Sequence, residues 1–309
     1  MKSIPTTLVL SAADEQQAEQ FRYQLERREQ LGLLYEVRDW MVVPDPPGRR
    51  VGSGGSTVHL IQALVGEEPP EESLRGRRVL ILHGGGESRR MPAYALCGKL
   101  FCPVPARVES PLPPTLFDMQ LERYLQLPHN PRGQVVICAG DVLLRFDPTE
   151  VNFDHPGLCG VAARESPREA SGHGVYHIAG QEGAVEHYLQ KPTVEQMERA
   201  ACLDATGRAA IDLGIMSLTP EFAGKLVSIN DQLCENGEDI VPLDFYTEIA
   251  CALGAADFDE YQKTVRKHGA SQHTETELRT LWQTLREQPF HCSVVPRCTF
   301  LHFGTSEDC

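Results

Sequence analysis

Three things are scarce in this chain, and each absence closes a class of protein. Long apolar runs are missing: stretches such as residues 78–83 stop well short of the roughly 18 residues a membrane helix needs. Paired cysteines are missing too. Ten cysteines are scattered at 97, 102, 138, 159, 202, 234, 251, 292, 298 and 309 with no C-x-x-C spacing, which argues against a zinc site and for reduced thiols. Positive charge is the third shortage. The 29 Lys and Arg stand against 43 Asp and Glu, for a formal net charge of −14. Non-specific nucleic-acid binding needs a basic footprint and is not expected. Small anions remain admissible, because a few cations focused in a cleft can hold phosphates within an acidic shell. The first fifteen residues show no apolar signal region and no small-residue cleavage site, so a cytoplasmic protein is expected. With 309 residues the chain is long enough for one large core.

What is present reads as repeating strand–loop–helix units. Residues 6–11 (TTLVLS), 35–44, 79–83 and 134–139 (QVVICA) are buried strands, and residues 16–32 carry helical spacing. A glycine-rich turn, Gly52-Ser53-Gly54-Gly55-Ser56-Thr57, opens a helix over 58–65. This order predicts an α/β fold: a Rossmann-like, mostly parallel sheet flanked by helices, with ligands at the carboxyl ends of the strands. Residues 160–164, 174–178 and 184–190 read as a smaller antiparallel layer. The spacing predicts helices over 194–201, 244–253 and 275–287, and strands over 210–218, 293–295 and 299–303.

The sharpest chemical signal is His83-Gly84-Gly85-Gly86-Glu87-Ser88-Arg89-Arg90-Met91-Pro92, followed by Gly98-Lys99. A strand running into three glycines brings backbone N–H groups close to an anion, and the arginines and lysine add fixed positive charge. The run is not a Walker A loop, since no Lys-Ser or Lys-Thr follows the G-x-x-x-x-G spacing. It is not a dinucleotide fingerprint either, because Arg89 occupies the third glycine position. At Gly52–Thr57 the glycines free the backbone to face a base or phosphate, and Ser56 and Thr57 offer capping hydroxyls. Asp141 follows a strand and a glycine, which sets a carboxylate at the sheet edge where Mg²⁺ could bridge phosphates. Asp244 opens a helix, as N-cap or as a second metal ligand. Lys191 stands before a proline at a strand end, and His173-Gly174 lets the backbone approach a sugar.

These pieces, in this order, resemble the fucose-1-phosphate guanylyltransferases, or GDP-fucose pyrophosphorylases. The resemblance rests on LVLSAADEQQA, VPDPPGRRVGSGGSTV, LILHGGGESRRMPAYALCGKLF, GHGVY, YLQKP, DLGIMSL, PLDFYTEIACALG and FLHFGTSED. It implies a sugar nucleotidyltransferase core of the GT-A-like type. Within it, Gly84, Gly85, Gly86, Ser88, Arg90 and Lys99 would hold the triphosphate, together with the Gly52–Thr57 loop. Asp141 and Asp244 would hold Mg²⁺, Lys191 the sugar 1-phosphate, and His173 and Gly174 the sugar. The implied partners are GTP and a sugar 1-phosphate, with no nucleic acid and no membrane. The expected organisation is one catalytic domain over 1–309, with a nucleotide half at 1–150 and a sugar-phosphate half at 151–309. The β-helix that follows in family members is not expected in this chain, which would be a monomer or part of a larger chain with a β-helix and a kinase domain. Two alternatives stay open: a pyrophosphorylase for another sugar or nucleotide, and a non-catalytic sugar-nucleotide-binding module.

Overall fold

In the computed structural model the described residues are 5–84, 98–106, 109–178, 182–234, 240–268 and 271–302. The chain begins with β1 (Thr6–Ala12), which runs into α1 (Glu15–Gln30). Asp14 starts that helix by accepting the Gln17 N–H at 2.8 Å, the usual N-cap arrangement. Then come β2 (Val37–Pro44), α2 (Gly52–Val65), β3 (Arg78–His83), β4 (Gln134–Ala139) and β5 (Val142–Arg145). The second half supplies β6 (Leu158–Glu165), β7 (Gly174–Ile178), β8 (Glu182–Gln190), β9 (Ala209–Leu218), β10 (Phe290–Val295) and β11 (Thr299–His302).

Nine strands make one sheet in the order β2-β1-β3-β4-β9-β6-β10-β8-β7, and β7 also pairs with β9. The strands β9, β6, β10, β8 and β7 therefore close a ring. β1 to β4 are mutually parallel, as the strand–helix alternation predicts. The second half departs from expectation. Its strands β6 to β10 are not a separate layer but continue the same sheet, whereas β11 joins β5 in a two-stranded sheet, and of that half's pairings only β6–β10 is parallel. The sheet is thus mixed rather than mostly parallel. The reason is connectivity. A short link such as that between β7 and β8 can only return the chain antiparallel, whereas parallel neighbours need a long crossover.

Alternation along the strands fills both faces. Val9 points into a cluster with Val58, Ile61, Val79 and Ile81, while Leu8 and Leu10 join Phe21, Leu25 and Leu82 on the other side. Three helices of ten residues or more escape the sequence reading, at Leu116–Leu125, Pro220–Leu233 and Phe258–Lys267. The eight described cysteines are free. Among the described residues no helix is long and apolar enough to cross a membrane.

Candidate functional site

The two glycine-rich segments meet the rest of the protein differently. Gly52–Thr57 is not a turn leading into a helix but the first turns of α2 itself, which begins at Gly52 after Val51. Ser56 and Thr57 therefore lie inside the helix, not at its cap. The N–H groups of Gly54 and Gly55 both donate to the Leu243 carbonyl, at 2.8 and 3.1 Å. A Cβ at Gly54 or Gly55 would press on the 241–243 segment, and Gly52 adds a φ of +69. Close packing of the helix on that segment explains these glycines, and the two donors at 54 and 55 are already taken. Gly52, Ser53 and Ser56 nonetheless line a cavity of about 220 Å³ with Ser11, Asp45 and His83.

His83 ends β3 and ties the two segments together. Thr57 Oγ1 donates to the Ser53 carbonyl at 2.8 Å, so it must accept the hydrogen of His83 Nε2 at 3.0 Å. Ser11 Oγ then donates to His83 Nδ1 at 3.2 Å. Burial lowers the imidazole pKa to about 4, so the ring stays neutral in this bridge. The next residue, Gly84, and the far end of the second segment, Gly98, both abut the ring of Phe21 from α1. Gly85, Gly86, Ser88 and Arg90 lie outside the described residues.

Lys99 opens a 3-10 turn, Lys99–Phe101, and its Nζ lies 3.1 Å from Asp141 Oδ2. Asp141 lines a larger cleft of about 440 Å³. The same cleft is lined by His173, Gly174, Lys191 and Asp244, so residues from four separated parts of the sequence converge. Asp244 does cap its own helical turn, Phe245–Ala250, of π type. Its Oδ1 accepts Tyr246 N–H (3.1 Å), Thr247 N–H (2.7 Å) and the Thr247 hydroxyl (2.8 Å). Oδ2 accepts the Ser53 hydroxyl at 3.2 Å, and Ser53 in turn accepts the Phe245 N–H at 2.8 Å. That link joins the two cavities through one side chain.

Lys191 is held in a left-handed backbone, φ +45, which costs a non-glycine residue of order 1–3 kcal/mol. Two contacts sustain it. Lys191 N–H donates to the His173 carbonyl at 2.9 Å, and His268 Nε2 lies 2.9 Å from the Gln190 carbonyl. The His173 ring meets Phe300 of β11 edge-on, with centroids 4.8 Å apart. β11 pairs with β5, which carries that phenylalanine to the cleft. Gly174 is fixed by the Tyr188 hydroxyl, which a Cβ there would overlap.

Among the lining residues that sequence reasoning missed, Asp212 is the one that carries a carboxylate. It sits where β9 bulges against β6, with Gly214 at φ +69 turning its N–H onto Asp212 Oδ1 at 2.8 Å. The Tyr188 hydroxyl donates to Oδ2 at 2.9 Å. Burial outweighs these bonds and raises the carboxyl pKa to about 6. A glycine inside a strand pattern, as in Asp212-Leu213-Gly214, is the signal that could have found it, since such glycines mark bulges and bulges re-aim side chains near sites.

The oxygen donors of Asp141 and Asp244 suit a hard divalent cation, which takes one or two carboxylates plus substrate oxygens. Among the described residues no group of three or more His, Cys, Asp or Glu could hold a metal by itself.

Fold and cleft together define a mixed α/β protein with a charged cleft where β4 and β8 end, β7 begins and β9 bulges. Comparison with known proteins is more particular. The profile of the fucose pyrophosphorylase domain matches residues 71–309, and the chain belongs to that family. It is 29% identical over 344 residues to a bifunctional fucokinase/GDP-fucose pyrophosphorylase of Arabidopsis thaliana, covering 99% of this chain and 31% of that one. It is 27% identical to the fucose-1-phosphate guanylyltransferase of Mus musculus, over 97% of this chain and 55% of the relative. The chain thus spans just under a third and just over half the length of these two relatives. Among solved structures, HddC from Yersinia pseudotuberculosis complexed with GMP-PN aligns over 99% of this chain and 96% of that one. The TM-score is 0.40 with 9% identity, and so weak a likeness carries no argument.

Proposed function

We propose that the chain is a nucleotidyltransferase that converts GTP and L-fucose 1-phosphate into GDP-L-fucose and pyrophosphate. One observation carries the reading: Asp141, ion-paired with Lys99, shares a cleft with Lys191, His173 and Asp244. Family membership supports the same chemistry.

The reaction needs no general base, because the sugar phosphate already carries a nucleophilic oxyanion. That oxygen attacks the α-phosphorus, the bond from the α-phosphorus to the bridging oxygen breaks, and pyrophosphate leaves with the electron pair. What the protein must do is bring two polyanions together and stabilise charge at the α-phosphoryl group. Lys99 faces the triphosphate and Lys191 the sugar phosphate, each as a point charge on a phosphoryl oxygen. In this reading Gly84 to Gly86, Ser88 and Arg90 complete the triphosphate grip, as the family resemblance implies. Asp141 and Asp244 would hold Mg²⁺, which when bound offsets charge on attacking and departing oxygens. The bonds to Ser53, Tyr246 and Thr247 fix the orientation of Asp244, and Lys99 does the same for Asp141. His173, Gly174 and Asp212 take the sugar side, where the Asp212 carboxylate can accept from hydroxyls. We assign the fold to the GT-A-like nucleotidyltransferase type, with residues 1–309 as one catalytic domain.

The experiment is pyrophosphate release across a grid of nucleoside triphosphates and sugar 1-phosphates with Mg²⁺. GTP with L-fucose 1-phosphate is expected to turn over fastest. Release with another pair alone would move the specificity, and release with none would return the chain to a binding module.

A further inference from the structure

The smaller cavity contains an acidic group that the reaction does not use. Asp45 follows directly on β2, and its backbone N–H donates to the Ala12 carbonyl at 2.8 Å. This carries the β1–β2 pairing past the strand end and fixes the residue at the mouth of α2. Its carboxylate accepts from the Ser56 hydroxyl and the Val51 N–H, with Arg50 near enough to attract it. Both oxygens keep lone pairs beyond those two bonds, since a carboxylate has about four acceptor sites. Burial nevertheless prevails and raises the pKa to about 6: the site withholds more solvent from the charge than its neighbours replace. The cavity it lines, with Ser11, Ala12, Gly52 and His83, holds about 220 Å³. It adjoins the phosphate cleft through Ser53, whose hydroxyl reaches Asp244 at 3.2 Å.

We infer that this cavity receives the nucleobase and that Asp45 reads guanine, its carboxylate accepting the adjacent N1–H and N2–H donors. The inference rests on the proposed use of GTP and names the group that would select it. Guanine is the base that offers two neighbouring donors on one edge, a match for two carboxylate oxygens in the bidentate manner. Adenine sets a ring acceptor at the corresponding position, and uracil offers one N–H flanked by two carbonyls. Either base would leave a carboxylate oxygen facing a lone pair, a penalty of the kind that makes hydrogen-bonding sites discriminate well. The other polar groups lining the cavity, Ser11, Arg50, Ser53, Ser56 and the neutral His83, carry no negative charge that would compete for those donors.

Inosine triphosphate tests this directly, because it differs from GTP only in lacking the N2 amino group. Equilibrium binding of GTP, ITP, ATP and UTP would be measured by calorimetry for the full chain and its Asp45→Asn variant, with Mg²⁺ present. The wild type is expected to prefer GTP to ITP by about ten- to a hundredfold, the worth of one charge-assisted hydrogen bond. In Asp45→Asn that ratio should fall to within about threefold of one, since an amide cannot accept twice on one edge. A ratio of affinities is unaffected by any misfolded fraction, so a poorly folding variant still gives a reading. A variant that keeps the wild-type ratio would overturn the role of Asp45 while leaving GTP use intact. A wild type that prefers ATP or UTP, or that binds none of the four, would overturn the GTP reading and this inference with it.

Discussion

The two halves of the cleft are built by different means. In the parallel half, charge arrives by ordinary chain geometry: Asp141 follows β4 after a single glycine, and Lys99 opens a 3-10 turn that lays its ammonium on Asp141. In the ring of strands, charge arrives through backbone irregularity. Lys191 sits at φ +45, and Asp212 is presented by a bulge whose Gly214 sits at φ +69. The first kind of placement costs the fold little. The second stores strain and a buried carboxylate in the site, and the surrounding β7, β8 and β9 pairings must sustain them.

The two kinds of placement differ most at Asp212. Its folded pKa of about 6 lies above the ordinary carboxyl value, so the folded state holds the proton more tightly than the unfolded chain does. Stability is therefore undiminished below about pH 4, falls as pH rises towards 6, and stays lower above that by about 3 kcal/mol. Asp212→Asn should match the wild type near pH 4 and exceed it by up to that amount at pH 8. Chemical denaturation at the two pH values measures it, and equal gaps at both would remove the buried-charge account.

Gly214→Ala comes next. An alanine must hold φ +69 and bring its Cβ to 3.0 Å from that of Ala139, at a cost of roughly 1–3 kcal/mol. An unchanged melting temperature would show that the bulge relaxes freely. The smallest effect should be Lys191→Gly, which relieves the left-handed strain and stabilises the fold by up to about 1 kcal/mol while removing the ammonium. A more stable, much less active protein is the expected result. Loss of stability would mean that the lysine side chain, rather than its backbone, is what the fold requires.

The same division decided what the sequence disclosed. The parallel strands, the glycine run and the Gly140-Asp141 edge follow from local pattern, and QVVICA is β4 residue for residue. The gathering of His173, Lys191 and Asp244 in one cleft with Asp141 was anticipated through family resemblance, not from spacing. The antiparallel character of β7 and β8 was legible, but the ring was not, because which strands lie beside β6 and β9 depends on long-range pairings that no periodicity encodes. Asp212 stayed hidden because its apolar neighbours read as a plain buried strand. The glycines at 52, 54 and 55 were read as ligand-facing, although glycine serves equally where a helix must approach another backbone closely.

In the proposed reaction one cleft joins two phosphates, one held from each half. Steady-state kinetics of Lys99→Ala and Lys191→Ala, with kcat and both KM values at saturating Mg²⁺, tests it most directly. Each variant should lose about ten- to a hundredfold, the worth of one charge-assisted bond to phosphate. The loss should fall on the GTP side for Lys99→Ala and on the sugar-phosphate side for Lys191→Ala. Identical profiles for the two variants, or full activity in both, would contradict the account.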